Sequence, residues 1–288
     1  MLNLKKYIFL FILSYLMSNT SYQGLLLPNN SYHLLNSNDS YFFSKNILLG
    51  NQVNPNICSS LMALPQDINI GSFTYHSSNY KKYSFRSNAT IIEYGKFLDS
   101  ESQHKFTAKD FIFSNTLYIK MEDFLYSAAT LNYINSSIEE YNSNGLAIDL
   151  NLYYSNKNFI FSSFIKNYGF IISNYTNYSE TLPQSYGLIL TYKPEHLNSI
   201  LSCQYELFSD YHEINIFNEL FVFNNSSISI GYTSLAQDLY YSDFNYDFFT
   251  GFSLGFSTIY KDYTLDIAVK NLGSIGIIHS FSLSKSIN

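Results

Sequence analysis

His279 and Ser280 stand side by side near the end of the chain, and Asp266 precedes them by one strand-like segment, so the residue types of a hydrolytic triad occur together. A triad needs its base within hydrogen-bond reach of the nucleophile. Neighbours on an extended strand project to opposite faces, so His279 and Ser280 cannot be that pair. His279 is in phase with Ile275, Ile277, Phe281 and Leu283 and reads as an interfacial residue. Asp210-Tyr211-His212-Glu213 offers metal-binding side chains. Consecutive residues of an extended segment diverge, and a four-coordinate site usually draws ligands from several elements, so the run reads as a solvated loop. Cys58 and Cys203 are far apart, and Cys203 falls on an apolar strand face; two unpaired thiols are expected rather than a disulfide. Asp149 and Asp266, with Lys166 and Lys270, lie on polar strand faces, where mutual pairing and hydration are the simpler reading and a polar binding path the other. The expectation is a protein with no catalytic residue, no cofactor and no metal.

The elements that position these residues show a two-residue rhythm. In 251–260, Phe252, Leu254, Phe256 and Tyr260 share one face, broken only by Thr258, and Gly251, Ser253, Gly255, Ser257 and Ile259 the other. In 262–270, Tyr263, Leu265, Ile267 and Val269 oppose Asp262, Thr264, Asp266, Ala268 and Lys270. Segments 145–154 and 185–193 repeat the pattern, each with one greasy face and one small or polar face. Thirteen segments of this kind run from 67 to 285, mostly of the roughly 9–11 residues a tilted membrane strand requires. Short links (260–261, 224–225, 194–196, 156–157, 122–124) alternate with longer ones (234–247, 208–212, 167–184, 138–144, 96–110), the final turn at 271–275 excepted. Tight turns on one side and larger loops on the other are the habit of outer-membrane barrels. With both termini periplasmic the strand number is even, which requires a further strand before Asp67, placed at 40–50.

The start of the chain fixes the compartment. Lys5 and Lys6 form a basic region, 7–17 is almost wholly apolar, and Ser18, Asn19, Thr20 and Ser21 offer small residues for cleavage; this reads as a removable signal peptide over 1–21, with a lipid-facing N-terminal anchor as the alternative. The apolar run is shorter than the roughly 20 residues a spanning helix needs, and no later segment is a candidate transmembrane helix, so a membrane location requires a closed barrel. The remaining divisions are an N-terminal arm or plug with a possible first strand over 22–65 and a barrel over 66–288. Charged residues are 13% and aromatics 18%, carried by 28 Tyr and 25 Phe without Trp. Tyr suits an apolar–aqueous boundary, and compositional drift toward Asn, Lys, Ile, Tyr and Phe contributes as well. The net charge of −6, with no basic tract, excludes nucleic acid. Asn-x-Ser/Thr triplets such as Asn88-Ala89-Thr90 are frequent because Asn and Ser are frequent.

A series of short motifs carries a family resemblance: Asn54-Pro55-Asn56 followed by Ser59, Ser60 and Leu61; Tyr94-Gly95-Lys96-Phe97; Phe106-Thr107-Ala108-Lys109-Asp110; Tyr141 through Asp149; Asn167-Tyr168-Gly169; Glu180-Thr181-Leu182-Pro183; and Gly231-Tyr232. In this order they resemble the PorQ proteins of the type IX secretion system, which with PorV stand among the relatives of the FadL fatty-acid channel. Asn56 occupies the place of the family's Ala, Tyr168 that of a small or aliphatic residue, and the region 75–94 is short. The resemblance runs from Asn54 to the C-terminus. It implies a fourteen-stranded barrel that assists cargo delivery to the cell surface, PorQ-type members anchoring a partner of the attachment machinery and PorV-type members receiving cargo. It also implies structural or gating roles for Asn54, Pro55, Tyr94, Gly95, Phe97, Asp110, Asp149, Asn167, Gly169, Glu180, Leu182 and Pro183. Pro55 holds Asn54 in extended geometry and would orient a short plug segment.

The expected fold is therefore an all-β, antiparallel outer-membrane barrel of about 14 strands with an N-terminal plug or arm. The expected function is non-enzymatic: loops 96–110, 167–184 and 234–247 present themselves to a secretion-system or surface-attachment protein, or to secreted cargo, while the barrel contacts outer-membrane lipid. Tyr240, Tyr241, Phe244 and Tyr246 suit protein contact through their large area, with an aromatic girdle as the competing reading. Two alternatives stand. A FadL-type transporter of hydrophobic small molecules would need a dry lumen pocket and a lateral opening or kinked strand, which Gly251 and Gly255 permit. A secreted β-sandwich adhesin leaves the turn lengths unexplained.

Overall fold

A computed structural model of the 288-residue chain describes residues 22–36, 41–49, 55–77, 82–98, 105–175, 181–223, 225–234 and 249–287. The leader at 1–21 lies outside them. Fourteen antiparallel strands close into one barrel, so the two-sheet sandwich is excluded. They are β1 (Asn56–Ala63), β2 (Asn69–His76), β3 (Tyr83–Leu98), β4 (Lys105–Lys120), β5 (Leu125–Ile138), β6 (Tyr141–Asn156) and β7 (Phe159–Ser173). The circuit continues through β8 (Ser185–Tyr192), β9 (Ser199–Leu207), β10 (His212–Phe223), β11 (Ser226–Thr233), β12 (Phe252–Tyr260), β13 (Tyr263–Asn271) and β14 (Ile277–Ser286). β1 pairs with β14 from Asn56↔Ser286 to Ala63↔His279, and the Ile287 N–H donates to the Pro55 carbonyl at 2.8 Å beyond the ladder. No edge strand is left to pair with another chain.

The alternation read from the sequence sorts the side chains. Leu61, Phe73, Leu150, Leu188, Ile216, Leu254, Phe256 and Phe281 project outward and are exposed, whereas Ser60, Thr74, Asn88, Ser229 and Ser282 face the lumen. Apolar outside and polar inside is the inverse of a soluble core. Among the described residues no helix is long and apolar enough to cross a membrane.

Two expectations need correction. Residues 40–50 do not hold the first strand. Tyr41–Leu49 is a helix, because Tyr41, Ser44 and Leu48 recur at helical spacing and face one way. The strand that completes the barrel is β1, whose outward Ser59 and Ala63 hide its alternation. The strict alternation of links also fails on one side. β3 to β7 each extend to 14–16 residues and absorb most of the expected loops 96–110 and 138–144. The β5–β6 link shrinks to two residues, Glu139 and Glu140, with Glu139 at φ 53°, the left-handed geometry a tight hairpin turn uses. Polar sequence there continues as ladder because the neighbouring strand continues to pair with it. The long links that remain are 174–184 and 234–251.

The lumen is filled by the N-terminal segment: a 3-10 turn at Gln23–Leu26, α1 (Ser31–Asn36) and α2 (Tyr41–Leu49). Leu34, Leu35, Tyr41, Phe43 and Leu48 pack on Tyr118, Tyr153, Ile160, Ile200 and Phe217 of the wall. Tyr22 packs on Met62, Ile70, Ile92, Ile112 and Ile134. Each fully buried large apolar side chain contributes roughly 1.5–3 kcal/mol, so the segment is a seated plug.

Candidate functional site: the plug and the chambers it divides

Most of the motif residues converge on one seat for the plug. Asp110, 3% exposed, accepts a hydrogen bond from the Tyr94 hydroxyl at 2.7 Å and another from Ser136. Gly24 of the plug lies over this carboxylate so closely that a Cβ there would stand 2.5 Å from Asp110 Oδ2. Tyr22 hydrogen-bonds Ser143 and stacks on Tyr175 at 6.4 Å between ring centroids. Beside them, the Asn167 N–H donates to Asp149 Oδ1 at 2.7 Å, and Asn132 Nδ2 to Asp149 Oδ2 at 2.9 Å. This fixes a bulge in the β6–β7 ladder, with Asn167 at φ 57°. Asn167 Nδ2 donates to the Pro183 carbonyl at 2.9 Å, which draws Leu182 into the Tyr22 cluster. Gly169 faces Ala147 across the same ladder.

Other expected residues lie elsewhere. Gly95, at φ 78°, sits in a bulge of β3 against Gln66 and Asp67. Phe97 stacks on Phe106 at 5.2 Å and is 41% exposed, away from the plug. Pro55 precedes β1. Asn54, Glu180, Tyr240, Tyr241, Phe244 and Tyr246 lie outside the described residues. His279 is exposed outside the barrel while Ser280 faces inward, and within 210–213 His212 is exposed beside Tyr205 while Glu213 is buried. Cys58 and Cys203 are both free. Gly255 does not kink a strand: its missing side chain admits Leu35, whose Cδ1 would lie 2.5 Å from a Cβ there. Gly231 admits the Leu35 carbonyl in the same way.

A second anchor was not legible in the sequence. Glu219 of β10 is fully buried and accepts from the Tyr41 hydroxyl (2.8 Å), Lys45 Nζ (2.7 Å) and Ser227 (2.7 Å). Lys45 also lies over the rings of Tyr32 and Phe221. Burial, and then the adjacent Glu219 carboxylate, hold the Tyr41 phenol well above its usual pKa, so it remains a donor. The only available signal was a carboxylate in phase with Phe217 and Phe221. Nearby, Ser31 Oγ lies 2.8 Å from Ser280 Oγ and 2.9 Å from Ser282 Oγ.

The plug divides the lumen. At the end where β1 begins and β14 finishes, a lower chamber of about 650 Å³ is lined by Tyr32, Lys45, Arg86, Phe221 and Asp266 among many Ser and Asn side chains. On the other side, an upper chamber of about 290 Å³ meets Leu25, Leu27 and Leu34 of the plug and Ile112 and Ile278 of the wall. Its charged groups are Asp149, Lys166, Glu206, Glu213 and Lys270; Lys166 pairs with Glu206 at 3.3 Å. Tyr211 lines its rim, and burial, followed by Glu213, Glu206 and Asp210, pushes its phenol up to about 12.

Tyr94→Phe removes one of two hydroxyl donors from a buried carboxylate. The expected cost is about 1–3 kcal/mol, read as a lower urea midpoint for unfolding of the detergent-solubilised barrel; an unchanged midpoint would remove Tyr94 from the seat.

No protein-family model matches the chain, and none of the curated proteins compared with it matches. Among solved structures, the TodX deltaS2S3 mutant monoaromatic hydrocarbon channel superposes with a TM-score of 0.61 at 7% identity, covering 90% of this chain and 99% of its own. The CymD monoaromatic hydrocarbon channel gives 0.61 at 9% identity, covering 91% and 98%. A Pseudomonas aeruginosa FadL homologue gives 0.52 at 7% identity, covering 92% and 96%. The chain has the closed fourteen-stranded fold of the FadL-type outer-membrane barrels.

Proposed function

We propose that this chain is a non-enzymatic, FadL-type outer-membrane channel that admits hydrophobic small molecules. The observation that carries the reading is the upper chamber, where plug leucines Leu25, Leu27 and Leu34 and wall residues Ile112 and Ile278 form an apolar patch among charged and amide side chains. An apolar concavity with a small number of placed polar groups is the usual form of a small-molecule site. The exposed apolar belt supports placement in lipid, where a closed barrel satisfies every backbone group. Two of the neighbours named above are described as monoaromatic hydrocarbon channels, which supports this reading over the secretion accessory that the PorQ resemblance implies. Tyr94, Asp110, Asp149, Asn167, Leu182 and Pro183 are moreover engaged inside the molecule, in the plug seat and the ladder beside it.

The test is uptake of radiolabelled toluene and oleate by cells that lack their own channel and express the full chain. Uptake several-fold above vector control is expected. Leu27→Arg should return it to near the control while leaving the folded barrel's electrophoretic mobility unchanged. A barrel inserted in the outer membrane that accelerates neither probe would end the proposal. Cross-linked co-purification of surface-attachment or cargo proteins would return the function to secretion.

A further inference from the structure

Cavities on the two sides of the plug share lining residues with a small void along the barrel wall. Arg86 lines the lower chamber and also a void of about 70 Å³ beside the plug. Ser114, Asn132, Asp149 and Lys166 line that void and the upper chamber alike. The middle void lies along the inner wall of β3–β7 and borders a chamber on each side, through Arg86 below and through Ser114, Asn132, Asp149 and Lys166 above. Phe43 of the plug stacks on Tyr118 at 4.4 Å and leans on Tyr153 at 5.2 Å; these two tyrosines border the middle void. The rest of its lining is hydroxyl and amide, chiefly Thr116, Thr130 and Asn151. A water's share of the liquid is about 30 Å³, so the void has room for a short file of water between polar partners.

We propose that these spaces form a narrow aqueous by-pass that passes small inorganic ions, anions in preference to cations, while the plug stays seated. The proposal rests on the membrane placement argued above but not on hydrophobic transport. The preference follows from the charges at the neck. The lining there carries two cations, Arg86 and Lys166, against one carboxylate, Asp149, which keeps its charge while accepting from Asn132 and Asn167. Glu206, which pairs with Lys166, borders the upper chamber and not the neck. Charged side chains at a constriction set the sign of the ions that pass.

The experiment uses the full chain with Cys58→Ser and Cys203→Ser, reconstituted in planar bilayers under a KCl gradient. A staple is added as Ser31→Cys with Ser280→Cys, whose parent hydroxyls are 2.8 Å apart, and its oxidation is verified by mass. The expected result is a small steady current that survives the staple and reverses toward the chloride potential. Arg86→Gln should reduce the anion preference by roughly twofold or more. Thr116→Cys should allow a methanethiosulfonate to cut the current by roughly tenfold, the anionic reagent reacting faster than the cationic one. A current abolished by the staple would belong to plug movement, and one indifferent to Arg86→Gln and to labelling at 116 would run elsewhere; either overturns the by-pass. Silence from a barrel shown by liposome flotation and protease protection to be inserted also overturns it. Failure to insert overturns the membrane placement itself.

Discussion

Replacing Lys45 by methionine is expected to unseat the plug and raise ionic conductance far above the wild-type level. Lys45 Nζ is 2.7 Å from Glu219 Oε1, and Glu219 is fully buried, so the substitution leaves a carboxylate in the lumen with only the Tyr41 and Ser227 hydroxyls. Stranding one member of a buried pair costs about 3–5 kcal/mol. The ammonium retains some solvent contact, so the lower figure applies. At about 1.4 kcal/mol per tenfold, 3 kcal/mol shifts the seated-to-unseated ratio by roughly a hundredfold. Glu219→Gln on the Lys45→Met background removes the stranded charge and should restore most of the seating, because the Tyr41 hydroxyl can still donate to the amide oxygen while the Ser227 hydroxyl accepts from the amide NH2. Single-channel recording on the three proteins decides the matter. Equal conductance in wild type and Lys45→Met would mean that α2 is held by apolar packing alone.

Gly169→Ala should prevent the barrel from closing properly, or destabilise it by about 3 kcal/mol or more. A Cβ at this position would collide with the Leu146 carbonyl oxygen and lie 2.7 Å from Ala147 Cα, both backbone atoms of the adjacent strand. Backbone held in a ladder cannot yield as a flexible side chain does, so relief requires opening the β6–β7 pairing beside the Asn167 bulge. Gly71→Ala is the control: its nearest neighbour would be Leu61 Cδ2 at 3.9 Å, an ordinary contact. Urea unfolding followed by the mobility difference between folded and boiled protein should separate the two sharply. If both variants fold like wild type, the close approach at Gly169 is not a constraint on the fold.

The barrel was legible because its signal is local. A strand's two faces see lipid and lumen, so hydrophobicity recurs every second residue and shows without any knowledge of neighbours. Ile267 against Asp266 and Leu150 against Asp149 are readable in that way, and the strand number follows from the turns and the compartment. The first strand was missed because the plug is enclosed on all sides. The stretch Tyr41-Phe42-Phe43 is as apolar as a strand, and only its helical contacts inside the lumen distinguish it. The loop lengths at β3–β7 were misjudged because pairing to a neighbour, not local composition, decides how far a ladder runs.

The site divided along the same line. Sequence motifs singled out Tyr94, Asp110, Asp149, Asn167, Gly169, Leu182 and Pro183, but linear order could not show that Tyr94, Asp110 and Leu182 gather against Tyr22 and Gly24, 70 or more residues away. Glu219 and Lys45 had no motif, since an ion pair across 174 positions leaves no local pattern. The chain by itself determined strand periodicity and which face of each strand is apolar, because these follow from the alternation of residue types along the chain. Only the closed structure decided where the plug sits, which carboxylates hold it and what spaces remain beside it, because those depend on side chains from distant strands meeting in one lumen.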